Sequence, residues 1–331
     1  MGAPLPPSPR RLARLVDELA EVGLDLGGTE PWHGLALREL DYALRPKIHE
    51  RRVPSFGAFV APTTDPAGWE AATDLAIERR PTGERSTDVA RRYADGMSSW
   101  LIRRPGGDDE WAVFDRPAGS ERDLVVLVDA LGAVAVQRHP AGIVRVVGPF
   151  GVHRWDGIGW HHEPLVATWV DAVAAGGAQG DREVLETLLA FAVHDLGARN
   201  IGATLLYRAD DGPGDDGLPA GVEGRLAAPP PLQVRRPADL APLRHALAQV
   251  DGAAVFDRSG TLRQIGVRLV PSAEAEGGVD GYRGMRHTAG RRYSYDDPRA
   301  TVVVVSEDGP VTVLRAGELI GHSAAPPPDD D

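Results

Sequence analysis

The 331-residue sequence contains no cysteine. Disulfides, thiolate nucleophiles, iron–sulfur clusters and cysteine-ligated zinc are thereby excluded, so any metal must be held by histidine, carboxylate or phosphate. Lysine is almost as scarce: Lys47 is the only one, and nearly every cation is an arginine. No run approaches the roughly 18 apolar residues of a membrane helix, and the longest apolar stretch, 124–136, is broken by Asp129. Residues 1–14 carry proline and arginine where a secretion signal needs an apolar segment, so a cytoplasmic protein without membrane attachment is expected. Positive charge is in deficit too. With 36 Lys+Arg against 48 Asp+Glu, the formal net charge is -12, a field that repels DNA, so no nucleic-acid polymer is expected as a partner.

What is present suits globular structure. Hydrophobic residues (42%) and charged residues (25%) stand at ordinary values, and the length predicts two domains. Residues 8–23 place Leu12, Leu15, Val16, Leu19 and Val22 at helical spacing between Ser8 and Gly23. A second helix is expected over 34–48, a strand over 53–60 and a helical piece near 86–93. From 98 to 160 the runs WLIRR, WAVFD, DLVVLVD, GAVAVQR and GIVRVVG read as strands of a meander. Helical patterns return at 165–175 and 181–196, and the glycine-rich segment 174–180 between them marks the domain boundary.

Beyond it, strands are predicted at 201–207, 253–257, 262–269 and 300–305, the last a continuous β-branched run suited to the middle of a sheet. Helices are predicted at 237–248 and after Arg286. Loops are expected at 209–219 and 228–236, and the tail 324–331 (AAPPPDDD) reads as disordered. The expected fold is two-domain α/β (α+β). Residues 1–178 form an α+β domain with a β-meander, residues 179–322 form a mixed sheet flanked by helices, and 323–331 are tail.

Three segments of the second half carry candidate chemistry. Asp251-Gly252-Ala253 precedes a strand, Gly284-Met285-Arg286-His287-Thr288 opens a helix, and Ser306-Glu307-Asp308-Gly309 ends the apolar strand. Arginine grips phosphate bidentately, a helix N-terminus offers backbone N–H groups, and carboxylates hold a metal. Each segment also has a plainer reading: an Asp-Gly strand-entry turn, a solvated helix start, and a β-turn between strands at Val305 and Val311.

In order and spacing these segments resemble the diadenylate cyclase (DAC) domain, found in the DNA-integrity scanning protein and in membrane-bound cyclases that make cyclic di-AMP. That family carries Asp-Gly-Ala, then Arg-His-Arg preceded by Gly-Thr, then an apolar strand ending in Ser-Glu-Glu. Here Asp251-Gly252-Ala253 is intact, Arg286 and His287 match, Met285 and Thr288 replace the family's Thr and second Arg, and Asp308 stands for the last Glu. Asn200-Ile201-Gly202-Ala203, Gly266 and Leu269 fit as well, over roughly 181–322.

The resemblance implies a metal-dependent nucleotidyltransferase that condenses two ATP into cyclic di-AMP and two pyrophosphates across a homodimer. It implies catalytic roles for Asp251, Arg286 and His287, and Mg²⁺ or Mn²⁺ on Asp251 and Asp308. Gly252, Ala253, Leu269, Gly284, Thr288 and Ser306 would bind the nucleotide. The first domain would be a sensor or oligomerising module. Losing the second Arg removes a cation, for which Arg291 and Arg292, one helical turn on, are candidate replacements. The runner-up is a catalytically degenerate sensor of ATP or a cyclic dinucleotide, and a cyclase of altered product is a third reading.

In the first half, His153-Arg154-Trp155-Asp156 and Trp160-His161-His162-Glu163 read as a packed β-hairpin rather than a zinc site. Gly27-Gly28 lacks the preceding strand and spacing of a dinucleotide loop, and Arg10, Arg11 and Arg14 read as a solvated helix face.

Overall fold

The computed structural model describes residues 8–46, 48, 53–175, 182–209, 221–223, 226–282 and 284–323. The chain divides into two compact units, Met1–Pro164 and Leu165–Asp331.

The first unit runs Pro9–Glu21 (α1), Pro31–Leu44 (α2), Phe56–Val60 (β1), Trp69–Thr73 (α3), Ile77–Pro81 (β2), Thr87–Ala90 (α4), Ser99–Arg103 (β3), Glu110–Phe114 (β4), Glu121–Leu131 (α5), Val134–Arg138 (β5), Val144–Gly148 (β6), Gly151–Trp155 (β7) and Trp160–Glu163 (β8). Its eight strands order β2-β4-β3-β1-β5-β6-β7-β8. β1 and β3 are parallel, and β5 to β8 form an antiparallel meander. β1 is buried at all five positions, as a strand covered on both faces must be. Its pleat sends Ala58 and Val60 to the α1/α2 side and Phe59 to the side holding Trp69, Trp100 and α5.

The run 123–129, expected as a strand, lies within α5 instead. Ser120 accepts from the Asp123 N–H at 3.3 Å while Asp123 accepts from the Ser120 N–H at 2.9 Å, and Gly132 closes the helix in the left-handed region. With start and stop both specified, Leu124, Leu127, Val128 and Leu131 form a buried helical stripe that outweighs the strand preference of valine.

The second unit runs Val166–Ala175 (α6), Arg182–Phe191 (α7), Ala203–Arg208 (β9), Val222–Glu223 (β10), Pro237–Leu247 (α8), Ala253–Phe256 (β11), Leu262–Leu269 (β12), Ala273–Gly278 (α9), Met285–Asp296 (α10), Ala300–Val305 (β13), Val311–Arg315 (β14) and Glu318–His322 (β15). The sheet order is β10-β12-β11-β9-β13-β14-β15, with β9 and β11 parallel and the other pairs antiparallel. α6, α7 and α8 pack on one face, and α10 packs through Tyr293 on the other. α6 was expected before a boundary at 178. It belongs instead with the second unit, because Trp169, Val170 and Val173 are buried beside Val184 and Leu188. α7 ends in a π turn, Ala192–Leu196, within the span expected as one helix. Residues 176–181, most of the loop 209–219, and the tail 324–331 lie outside the described residues.

Candidate functional site

Register decides what converges. β9 and β11 are parallel and β13 runs against β9, so Val305 pairs with Ala203 and Ala253 with Thr204. The start of β11 and the end of β13 therefore share one end of the sheet, where α10 also begins. A cleft of about 1430 Å³ opens there. Asp251, Gly252, Ala253 and Leu269 line it from β11 and β12, Gly284 to Thr288 from α10, and Ser306 and Glu307 from the end of β13.

The charged centre is a bridge. Arg286 Nη2 donates to Asp251 Oδ1 at 3.4 Å and Nη1 donates to Glu307 Oε1 at 3.1 Å. The Asp251 side chain is 92% exposed, that of Glu307 75% and that of Arg286 39%. Such solvated pairs are worth little, so an anionic ligand can take Arg286 over at small cost. Gly202 makes room for the bridge: a Cβ there would come within 2.5 Å of Arg286 Nη1 and 2.6 Å of Glu307 Cγ. Gly252 has φ +106°, and a Cβ on it would lie 2.8 Å from the backbone of Gly266 and Val267, so the Asp-Gly-Ala turn demands glycine.

The expected residues divide by how they sit. Asp308, expected to hold a metal, is exposed on the tight turn closed by the Gly309 N–H donating to Ser306 O at 3.0 Å, and it does not line the cleft. Glu307 faces the cleft in its place, because a strand turning within four residues sends successive side chains to opposite sides. His287 is buried, with Nε2 3.2 Å from Thr312 Oγ1 and the Tyr282 ring edge-on at 5.8 Å, so it also ties α10 to β14. The Thr288 hydroxyl accepts from Tyr282 N at 3.0 Å and donates to Tyr282 O at 3.2 Å, which commits it to the preceding loop. Gly284 caps α10 with no side chain, leaving the positive end of a 12-residue helix at the cleft. Of the two arginines one turn on, Arg291 donates to Gly317 O at 2.7 Å and stays out of the cleft lining, whereas Arg292 is in it.

Two family models match the chain. Residues 13–163 match "Probable sensor domain DACNK", and residues 191–319 match the DAC family, "DisA bacterial checkpoint controller nucleotide-binding". The chain joins a DACNK sensor domain to a DAC domain. No curated protein matches it. Among solved structures, a hypothetical membrane spanning protein from Bacillus cereus aligns at 19% identity and a TM-score of 0.31, over 44% of this chain and 72% of that one. Among the described residues no helix is long and apolar enough to cross a membrane.

The DAC domain contains the whole cleft, and its family binds nucleotides. In the DACNK domain the histidine-rich segment is the β7–β8 hairpin, with His153 opposite His162 and Arg154 opposite His161. The first pair stacks at 4.2 Å, and Nε2 of each ring meets a carbonyl, His153 that of Val22 at 3.2 Å and His162 that of Phe150 at 3.0 Å. Arg154 donates to Glu121 and, at 2.9 Å, to Glu163, and their charges hold its guanidinium protonated.

Proposed function

We propose that the protein is a diadenylate cyclase. Each DAC domain binds one ATP, and two domains meet face to face as a homodimer. Each 3′-hydroxyl oxygen attacks the α-phosphorus of the opposite ATP, the bond from that phosphorus to the bridging oxygen of the leaving group breaks, and pyrophosphate departs. Two ATP thus give cyclic di-AMP and two pyrophosphates. One domain with one ATP cannot close the ring, so the dimer follows from the chemistry.

The observation that carries this reading is the Asp251–Arg286–Glu307 bridge at the mouth of a cleft that also receives the N-terminus of α10. Arg286 would leave its carboxylates for phosphate oxygens, and the helix end would face the same anion. Gly252 would let the backbone approach the nucleotide, with Ala253 and Leu269 forming apolar wall and Ser306 offering a hydroxyl to the triphosphate. His287, buried beneath, would hold Arg286 in place through α10.

The donor set suits a divalent cation shared with substrate rather than one caged by protein. Among the described residues no group of three or more His, Asp or Glu could hold a metal, but Asp251 offers a solvated carboxylate at the cleft, and Mg²⁺ characteristically takes one or two carboxylates plus phosphates. Asp251, with Glu307 beside it, would hold Mg²⁺ or Mn²⁺, which when bound lowers the pKa of the attacking hydroxyl and offsets charge in the transition state.

A second reading, a nucleotide sensor without turnover, is favoured by the phosphate motif. Met285 is 90% exposed and Thr288 is committed to Tyr282, so that motif brings a single cation, Arg286. Incubation of the protein with ATP and Mg²⁺ or Mn²⁺, read by mass spectrometry beside Asp251→Asn, separates the two. The cyclase yields cyclic di-AMP from the wild type and far less from the variant. Binding of ATP with no product under either metal, at any protein concentration, would leave the sensor.

A further inference from the structure

The charge on the cleft falls short of its proposed ligand. Arg286 is shared between two carboxylates, so the bridge of Asp251, Arg286 and Glu307 carries a net charge of one negative unit before any nucleotide arrives. A nucleoside triphosphate brings about four more. Two other arginines line the cleft, Arg268 and Arg292, and among the described residues neither has a carboxylate within ion-pair distance. Arg268 sits between Val267 and Leu269, whose side chains enter the core under α10, so the pleat turns it to the other face, where the register sets it opposite Glu223.

Arg292 is placed differently. It lies one turn beyond Thr288 on the same face of α10, and both residues line the cleft. Its Nε donates to Val279 O at 3.1 Å, which fixes the stem, while among the described residues the terminal nitrogens of the fork meet no hydrogen-bond or ion-pair partner. A guanidinium held at one nitrogen and open at the others is prepared for bidentate contact with phosphate oxygens.

We propose that Arg292 binds the β- and γ-phosphates of the nucleotide, supplying the cation that the opening turn of α10 lacks at Thr288. This rests on the nucleotide-binding reading of the cleft. It makes the cleft selective for triphosphate over monophosphate, since the contact lies along the tail and away from the nucleoside.

The test compares ATP and AMP as ligands of the full chain in Mg²⁺ buffer by calorimetry, for the wild type, Arg292→Gln and Arg292→Lys, with a melting curve for each. Removing one charge-assisted contact should weaken ATP by about 10- to 100-fold in Arg292→Gln and leave AMP within about twofold. Arg292→Lys, which keeps the charge but not the fork, should fall between. If the Gln variant does not fold, the Lys variant decides alone: unchanged ATP affinity, or ATP and AMP weakened equally, would mean that the residue only anchors the loop at Val279. A wild type that binds ATP and Arg292→Gln that binds it equally well would overturn the assignment and spare the nucleotide reading. A wild type that binds neither ligand would overturn both.

Discussion

The two units use the same architecture and spend their charges in opposite ways. Each is a mixed sheet with one parallel pair of strands inside antiparallel flanks and helices on both faces. The DACNK unit holds charged groups that are buried and closed on protein partners. Glu39, 0% exposed, accepts from Arg91 at 2.8 Å and from Arg103, and Arg138 donates to the carbonyls of Pro54, Tyr42 and Ala43. In the DAC unit, by contrast, Asp251, Arg286 and Glu307 stand in water at a cleft. Buried, fully paired charges fix one arrangement of the chain, whereas exposed pairs can be exchanged for a ligand.

That contrast predicts which substitutions unfold and which silence. Glu39→Ala removes the fully buried carboxylate that joins the two arginines, leaving Arg91 with Asp88 at 2.9 Å and Arg103 with Asp109 at 2.8 Å, and should cost about 3 kcal/mol. Six of the seven tryptophans lie in residues 1–164, so denaturant unfolding followed by tryptophan fluorescence reads that loss. A midpoint near the wild-type value would break the contrast from the structural side. Asp251→Asn should behave conversely, lowering cyclic di-AMP formation by about 100- to 1000-fold while the unfolding midpoint stays put, because its carboxylate supports nothing in the fold. Loss of stability in parallel with loss of turnover would break the contrast from the functional side.

Particular residues explain what could be read from the sequence. The β-branched run Ala300–Val305 is an interior strand as expected, since only a buried strand tolerates apolar residues on both faces. Asp251-Gly252 and the opening of α10 were visible because glycine and helix-start chemistry are local. The α5 stretch is ambiguous in sequence because Leu124-Val125-Val126-Leu127-Val128 fits a strand and a helix alike, and only the Ser120 and Gly132 caps decide it. The place of α6 depends on which sheet Trp169 packs against, and the exchange of Asp308 for Glu307 on the geometry of one tight turn. Both are tertiary facts that no local pattern encodes.

A third test sharpens the burial side of the contrast. Burial, and then the neighbouring His162 ring, push the His153 imidazole down to about 4 from its ordinary 6.5. A group whose pKa is depressed on folding stabilises the fold above its unfolded value and loses that contribution as pH falls, because the unfolded chain takes up the proton first. From pH 7.5 to 5.5 the DACNK unit should lose about 1.4 kcal/mol through this residue. His153→Gln removes that part of the slope, so equal slopes in the two proteins would refute it.

The smallest effect is the most discriminating, because it touches the cleft without removing any charged or hydrogen-bonding group. A methyl group at Gly202 would meet side-chain atoms, the terminal Arg286 Nη1 at 2.5 Å and Glu307 Cγ at 2.6 Å, whereas the nearest backbone atom, Glu307 N, is at an ordinary 3.5 Å. The side chains can therefore swing aside and the fold need not move. Gly202 lies outside the positive-φ residues, so alanine fits its backbone and restricts the unfolded chain, which leaves stability unchanged or raises it slightly. Displacing the Arg286–Glu307 pair should nonetheless lower turnover by about three- to tenfold, since misplacing a phosphate-binding group weakens catalysis even when its charge is kept. Gly202→Ala should thus be as stable as the wild type and slower, and an equally fast variant would mean that the bridge between Asp251 and Glu307 does not set the position Arg286 takes at work.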